Sequence, residues 1–440
     1  MAQEDSELSD ILRIMRFALR GYWDKRKPGF DWEAKQQEFV PGRTKIPIAT
    51  YPFGVDETVE ALEAILSKTS TMGRRVAEFE KRFADYLGVA HAIMTNSGSS
   101  ANLLAMYAIA GSRRANRLRP GDEVIVPAVM WATTLYPILN VGANAVLVDV
   151  DLDTYNIDVN CCREAIEQRT RVILPVHLLG NPCEITSLLA LAEENNLLLL
   201  EDSCEALGAQ YNGRKTGSFG SLATFSFYYS HHISTVEGGM VVTNDDEHAE
   251  NMRSMREFGW IRNLHESARW REKYPDIDPR FMFVNIGFNL RPTDIQGGFG
   301  LHQLPKVEQD IEIRRENAVY WGKRLSKYID FISVSKERAG TRHSWLGFPI
   351  TVKVDAPFTR KDLTQFLESK GIETRPIMSG NMAEQPVLDL VKDHVRISGR
   401  LDNSRYIHRQ SFFFGNHQGI GKAEREFIAD SFDDFLKRFL

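Results

Sequence analysis

From Asp56 onward the apolar positions follow two alternating rhythms. Val59, Leu62, Ile65 and Leu66 recur at three- and four-residue spacing, as do Val76, Phe79, Phe83 and Leu87 within Arg74–Leu87, and each set predicts one buried helix face. Short unbroken apolar runs then take over at Ala90–Thr95, Glu123–Val126, Ala145–Val150, Val172–Pro175 and Leu197–Glu201, each of strand length. Helical stretches separate them at Ala101–Gly111, Thr133–Asn140, Cys162–Gln168 and Ile185–Asn195. Strands that alternate with helices and show no in–out alternation of their own predict a largely parallel sheet covered on both faces. Ahead of this unit lies a helix over Glu7–Arg20 and a polar, aromatic stretch with scattered prolines to about residue 50, as in an arm or surface-packed extension. Near Pro305 the pattern changes to a long charged helix, Val307–Leu325, followed by strand-like Phe331–Ser335 and Trp345–Val354. The expected organisation is an N-terminal arm (1–55), a large α/β domain (56–305) and a small C-terminal α+β domain (306–440).

Composition narrows the function. A chain of 440 residues accommodates two such units at roughly 150 residues per domain. Its 54 Lys+Arg against 59 Asp+Glu leave no basic excess to displace counterions, which argues against a nucleic-acid binder working by bulk charge. The start, MAQEDSELSD, is too acidic for a signal-peptide n-region, and no apolar run approaches the ~20 residues of a membrane helix. A cytoplasmic protein without membrane partners is expected. Cys161, Cys162, Cys183 and Cys204 lack paired metal-ligand spacing and fit free thiols in a reducing compartment, so no metal site is expected.

In an open parallel sheet, ligands bind at the carboxyl ends of the strands. Three sequence features fall there. Asn96-Ser97-Gly98-Ser99-Ser100-Ala101-Asn102 lies between a strand and a helix; it suits a phosphate, and suits a plain turn as well. Glu201-Asp202-Ser203 ends a buried strand, where an acid is either paired structurally or functional, for example against a protonated pyridine nitrogen. The third feature is the long run from Phe225-Ser226-Phe227 through His231-His232 to Glu237-Gly238-Gly239-Met240.

Taken together with Gly287-Phe288-Asn289-Leu290-Arg291, these motifs resemble the DegT/DnrJ/EryC1/StrS family, in order, from about residue 50 to the carboxyl terminus. The resemblance implies the aspartate-aminotransferase fold (fold type I) and a pyridoxal 5'-phosphate or pyridoxamine 5'-phosphate cofactor. It assigns Asp202 to the pyridine nitrogen, Glu205 to the ring hydroxyl and Trp131 to stacking on the ring. Gly98, Ser99 and Ser226 would hold the phosphate, joined by Asn289 of a neighbouring subunit in a homodimer. Arg291 and Arg375 are candidates for substrate diphosphate or glutamate carboxylate, with an exposed ion-pair role equally open.

One departure decides the reaction. Where most of the family carries the Schiff-base lysine, six residues before Glu-Gly-Gly, this chain has His231. Without that amine the cofactor is held non-covalently, and histidine becomes the candidate proton carrier. His232 is expected to be structural, and Tyr228 and Tyr229 fit packing as well as chemistry. The exchange resembles the 3-dehydratase branch, which removes the C3 hydroxyl of a nucleotide-linked 4-keto-6-deoxyhexose, with L-glutamate restoring the cofactor amine. Ala128–Thr134, Arg375-Pro376, Ser379-Gly380-Asn381, Gln385-Pro386 and Gly415-Asn416-His417 share that resemblance. A sister branch adds an iron–sulfur cluster and a reductase partner; its cluster cysteines lie downstream of the histidine. No cysteine follows Cys204 here, so neither is expected. Two alternatives stand beside this reading: a C4 aminotransferase that uses histidine, and a non-catalytic protein binding cofactor or sugar nucleotide.

Overall fold

The computed structural model describes residues 2–23, 39–50 and 52–440, with side chains from Glu7 onward. The polar stretch expected after the first helix therefore lies, over 24–38, outside the described residues.

The apolar runs become strands of one large sheet. In chain order these are β1 (His91–Thr95), β2 (Glu123–Pro127), β3 (Asn144–Val148), β4 (Thr170–Ile173) and β5 (Leu198–Asp202). Two-residue strands β6 (Gln210–Tyr211) and β7 (Arg214–Lys215) precede β8 (Leu222–Ser226) and β9 (Gly239–Thr243). Later in the chain come β10 (Ile332–Val334), β11 (Thr341–Arg342), β12 (Gly347–Val352), β13 (Thr374–Pro376), β14 (Val395–Ile397) and β15 (Ser411–Gly415). The large sheet has the order β1-β9-β8-β5-β4-β2-β3-β14. Strand β9 runs antiparallel to β1 and β8, and every other pair is parallel.

Helices cover both faces, as the unalternating strands require. In chain order the helices to residue 325 are α1 (Ala2–Trp23), α2 (Val55–Leu66), α3 (Arg74–Leu87), α4 (Gly98–Ala110), α5 (Ala132–Asn140), α6 (Val159–Ala165), α7 (Ile185–Glu194), α8 (Asp246–Arg256), α9 (Ser267–Lys273), α10 (Asp294–Gln303) and α11 (Val307–Leu325). Val124, Val126, Leu147 and Leu200 pack with Leu104, Ala105 and Leu135 of α4 and α5 on one side. Ile125, Val146, Ile173 and Leu199 pack with Cys162, Leu188 and Leu191 of α6 and α7 on the other. Successive strand residues thus face opposite cores, each fully buried aliphatic side chain contributing ~1.5–3 kcal/mol.

The second unit has its own antiparallel sheet, β10-β12-β15-β13, over a core of Trp321, Tyr328, Phe348, Phe412, Phe414 and Phe432. Two segments cross between the units. Strand β14 lies late in the chain yet forms the edge of the large sheet beside β3. Conversely, residues 46–50 form a strap on the small sheet: Ile46 bridges Ile372, donates to the Gly371 carbonyl at 2.8 Å and accepts from the Glu373 amide at 3.0 Å. The strap then reaches the large unit, where Gln303 of α10 donates to the Pro52 carbonyl at 3.0 Å. Helix α1 is longer than the expected Glu7–Arg20 and is pinned to α2 by the Arg16–Asp56 ion pair. Among the described residues, no helix is long and apolar enough to cross a membrane.

Candidate active site

A cavity of about 460 Å³ opens at the carboxyl ends of β1, β2, β5 and β8, between the large sheet and the small unit. Its floor is the amino end of α4. Ser97 caps that helix by accepting the Ser100 amide at 3.1 Å, and Ser99 donates to Thr133 Oγ1 at 2.9 Å. A Cβ at Gly98 would meet Ser226 Cβ at 2.5 Å and Oγ at 2.8 Å, so only glycine lets the helix amides stand against Ser226. The leading amides of a helix have no intrahelical acceptor, and with the dipole they favour an anion. Gly98, Ser99 and Ser226 form a cradle of the size and polarity of a phosphate.

Asp202 ends β5 on the cavity wall. Its Oδ2 accepts from Thr134 Oγ1 at 2.7 Å and Asn102 Nδ2 at 3.1 Å, and its Oδ1 accepts the Cys204 amide at 3.1 Å. Asn102 is in turn fixed by Thr224 Oγ1, which donates to its Oδ1 at 2.6 Å. This network orients a carboxylate toward the cavity, and its partners among the described residues are neutral donors. A bound pyridinium nitrogen would supply the matching charge. Glu205 lies beside it, 6 % exposed, with Oε2 accepting the Leu179 amide at 2.7 Å. Burial pushes its carboxyl up to about 8, with the Asp202 charge adding to the rise and the Leu179 amide opposing it. Glu205 is a neutral acid at pH 7, able to donate to a ring oxygen. Trp131, at the start of α5, is 54 % exposed and lines the same space, a flat surface for a flat ring.

His231 faces the cavity from the loop between β8 and β9. Its amide donates to the Tyr228 carbonyl at 2.9 Å, and its Nδ1 is buried without a partner among the described residues. Burial and, second, the Arg314 positive charge bring its imidazole down to about 4. At pH 7 it is a neutral base. His232 points away, toward the Ser344 carbonyl at 3.2 Å, in keeping with a structural part. Tyr228 lines the cavity with its ring centroid 6.2 Å from that of His231.

The cavity therefore brings together Gly98, Ser99, Trp131, Asp202, Glu205, Ser226, His231 and Arg375. It does not include Asn289 or Arg291 of the same chain. Those two lie on the outer surface, Arg291 Nε donating to Asn289 Oδ1 at 3.0 Å and its guanidinium stacked 4.9 Å over the Phe258 ring. The supporting residues Asn102, Thr134 and Thr224 were not among those the sequence singled out as site residues. A signal existed for Asn102, the last polar side chain of the Gly-Ser-Ser-Ala-Asn start of α4, just before its Leu-Leu-Ala-Met run. Ile48 of the strap also lines the cavity.

A family profile described as the DegT/DnrJ/EryC1/StrS aminotransferase family matches residues 54–433. The chain is 38 % identical over 366 residues to GDP-4-keto-6-deoxy-D-mannose 3-dehydratase of Escherichia coli O55:H7, covering 82 % of this chain and 93 % of that one. It is 37 % identical over 420 residues to dTDP-4-dehydro-2,6-dideoxy-D-glucose 3-dehydratase of Saccharopolyspora spinosa, covering 92 % and 90 %. A crystal structure of GDP-4-keto-6-deoxymannose-3-dehydratase with a trapped PLP-glutamate geminal diamine superposes with a TM-score of 0.82 at 35 % identity, over 88 % of this chain and 99 % of that one.

Proposed function

This chain belongs to the DegT/DnrJ/EryC1/StrS aminotransferase family, and we propose that within it the protein is a 3-dehydratase of a nucleotide-linked 4-keto-6-deoxyhexose in deoxysugar biosynthesis. The fold is that of the pyridoxal-phosphate aminotransferases, fold type I. The observation that carries the reaction is a neutral imidazole, His231, with an unpartnered nitrogen, in a cavity whose opposite wall holds an uncompensated Asp202.

The cavity fits pyridoxamine phosphate: the Gly98–Ser99–Ser226 cradle would take the phosphate, Asp202 the ring nitrogen, Glu205 the ring oxygen and Trp131 a ring face. Once bound, the cofactor supplies an amine for the C4 ketone and a ring that draws off electrons. His231 would move the proton at the cofactor's C4′ carbon and protonate the departing C3 oxygen. Proton removal needs a neutral base, and burial beside Arg314 keeps His231 neutral. Asp202, held by Thr134, Asn102 and the Cys204 amide, would keep the ring nitrogen protonated. L-glutamate would restore the amine.

Asn289 and Arg291 would serve a neighbouring subunit. They lie beside Phe258, Phe283 and Ile286, which are 36 %, 53 % and 85 % exposed, an apolar face suited to a second copy. Cytoplasmic location and the absence of a reductase partner complete the reading; no thiol follows Cys204 to ligate a cluster.

The test uses purified protein, pyridoxamine phosphate and a panel of nucleotide-linked 4-keto-6-deoxysugars, with ammonia and product mass followed together. Free ammonia and a product lighter by one oxygen are expected. A product that keeps its C3 oxygen and gains nitrogen would make the enzyme a C4 aminotransferase. No cofactor-dependent absorbance change would leave only the binding-protein reading.

A further inference from the structure

If the protein is such a dehydratase, one cavity must take two unlike anions in turn: the diphosphate of a nucleotide sugar and the carboxylates of the amino donor. Within one chain the described lining carries carboxyl groups at Asp202, Glu205 and Glu237 and one permanent cation, Arg375; the Arg291 that a neighbouring subunit would bring comes from outside the chain. The chain's own cation is already engaged. Arg375 lies on β13, and its Nη2 is ion-paired with Glu373 Oε1, two residues earlier and on the same side of the backbone. The Arg375 side chain is 56 % exposed, so the pair sits at the cavity mouth and not in the core. The second oxygen of Glu373 is bound elsewhere, since Oε2 accepts the Ile48 amide at 2.9 Å. Ile48 is the strap residue that lines the cavity, and the strap is independently bonded around Glu373 through Ile46.

From this geometry we propose that Arg375 is the common anchor for the anionic substrates of both half-reactions, and that Glu373 is its internal counter-ion. The carboxylate holds the guanidinium in place until a substrate anion replaces it. An exposed pair of this kind is weak, whereas a phosphate or carboxylate can engage the guanidinium fork through two parallel bonds, so exchange runs toward the substrate. When Arg375 turns to its ligand, Glu373 keeps the Ile48 amide. The strap therefore stays over the site while the cation changes partners. One anchor for two ligands also makes their occupancy mutually exclusive, which suits a reaction in which each must leave before the other enters.

The experiment is a calorimetric titration of the cofactor-loaded enzyme with inorganic pyrophosphate and with glutarate, singly and in competition. It compares wild type, Arg375→Gln, Arg375→Lys and Glu373→Gln. Each probe should exclude the other. Arg375→Gln should weaken both by about tenfold or more, with Arg375→Lys intermediate because it keeps charge but loses the fork. Glu373→Gln keeps an oxygen for the Ile48 amide while dropping the charge, and should tighten both by about two- to fivefold. Cofactor absorbance shows that each variant is folded. Simultaneous binding of the two probes, weakening of only one by Arg375→Gln, unchanged affinities in Glu373→Gln, or no binding of either probe to wild type would each overturn the proposal. Neither probe undergoes chemistry. Anchoring through Arg375 without ammonia release would therefore sink the dehydratase reading and leave the anchor standing.

Discussion

His177 and the histidines around Arg314 behave in opposite ways. His177 uses both ring nitrogens: Nε2 donates to Glu201 Oε2 at 3.1 Å and Nδ1 accepts the Cys183 amide at 3.0 Å. Glu201 also accepts the Gly217, Phe219 and Gly220 amides at 2.7–2.8 Å. Burial alone would raise its carboxyl, but the His177 ring and these amides bring it below the ordinary range. By contrast, His231 Nδ1, His232 Nδ1 and His343 Nε2 are buried without partners among the described residues, the first two facing the cation of Arg314. Burial, followed by that charge, pushes His231 down to about 4 and His417 to about 3. His177 is saturated scaffold. His417 is filled too, Nε2 donating to the Pro47 carbonyl at 3.1 Å and Nδ1 accepting the Gly419 amide at 3.2 Å, so of these rings His231 is the one that both lines the cavity and keeps an unpartnered nitrogen.

The contrast can be broken at its strongest point by His231→Asn. Its rate of ammonia release should fall by about 10²- to 10⁴-fold, the usual worth of a positioned acid–base group, while cofactor absorbance persists. An unchanged rate would move proton transfer to another residue. His177→Ala should instead act on folding. It leaves the Glu201 carboxylate short of a donor and opens a cavity, at a cost of about 3 kcal/mol in unfolding free energy by urea titration, with little change in kcat of the folded enzyme. Activity lost without stability lost would dissolve the distinction between the two groups.

The pH dependence sharpens it further. The folded-state values of His231 and His417 lie below the unfolded value near 6.5, so the unfolded chain binds protons that the native one refuses. Stability should fall as pH drops from about 6.5 toward 4, by at most about 1.4 kcal/mol per unit for each histidine. Glu205 has the opposite sign. Its folded value is raised to about 8, so stability should decline as pH climbs from about 4.5 to 8, and Glu205→Gln should flatten that limb in thermal melts. The smallest effect is expected for Asn102→Ala, which removes one donor to Asp202 and releases Thr224. Loss of about 1 kcal/mol should appear as a several-fold weaker cofactor affinity by absorbance titration.

The parts legible in the chain are those whose cause is local. Val124, Ile125 and Val126 look uniformly apolar because alternate residues serve different cores, which is what a doubly covered strand requires. Gly98, Asp202 and His231 sit in motifs short enough to be seen side by side. Strands β8 and β9 are harder to see, because the motif from Phe225 to Met240 begins inside the first and ends inside the second. The Thr224–Asn102–Asp202–Thr134 chain joins four elements far apart in sequence, and nothing local marks it. Asn289 and Arg291 lie outside their own chain's cavity, so no single-chain geometry gives them a role.

Strand β14 has a consequence for how the molecule is made. The contact of His394 with Asn144 spans 250 residues, so the outer edge of β3 has no partner until nearly the whole polypeptide has left the ribosome. During synthesis β3 is an open strand of Asn-Ala-Val-Leu-Val, a template for unwanted pairing with another nascent chain. Completion of the carboxyl-terminal part therefore does more than add a second unit. It seals the first one, and a chain that stops short of residue 395 would leave that edge bare.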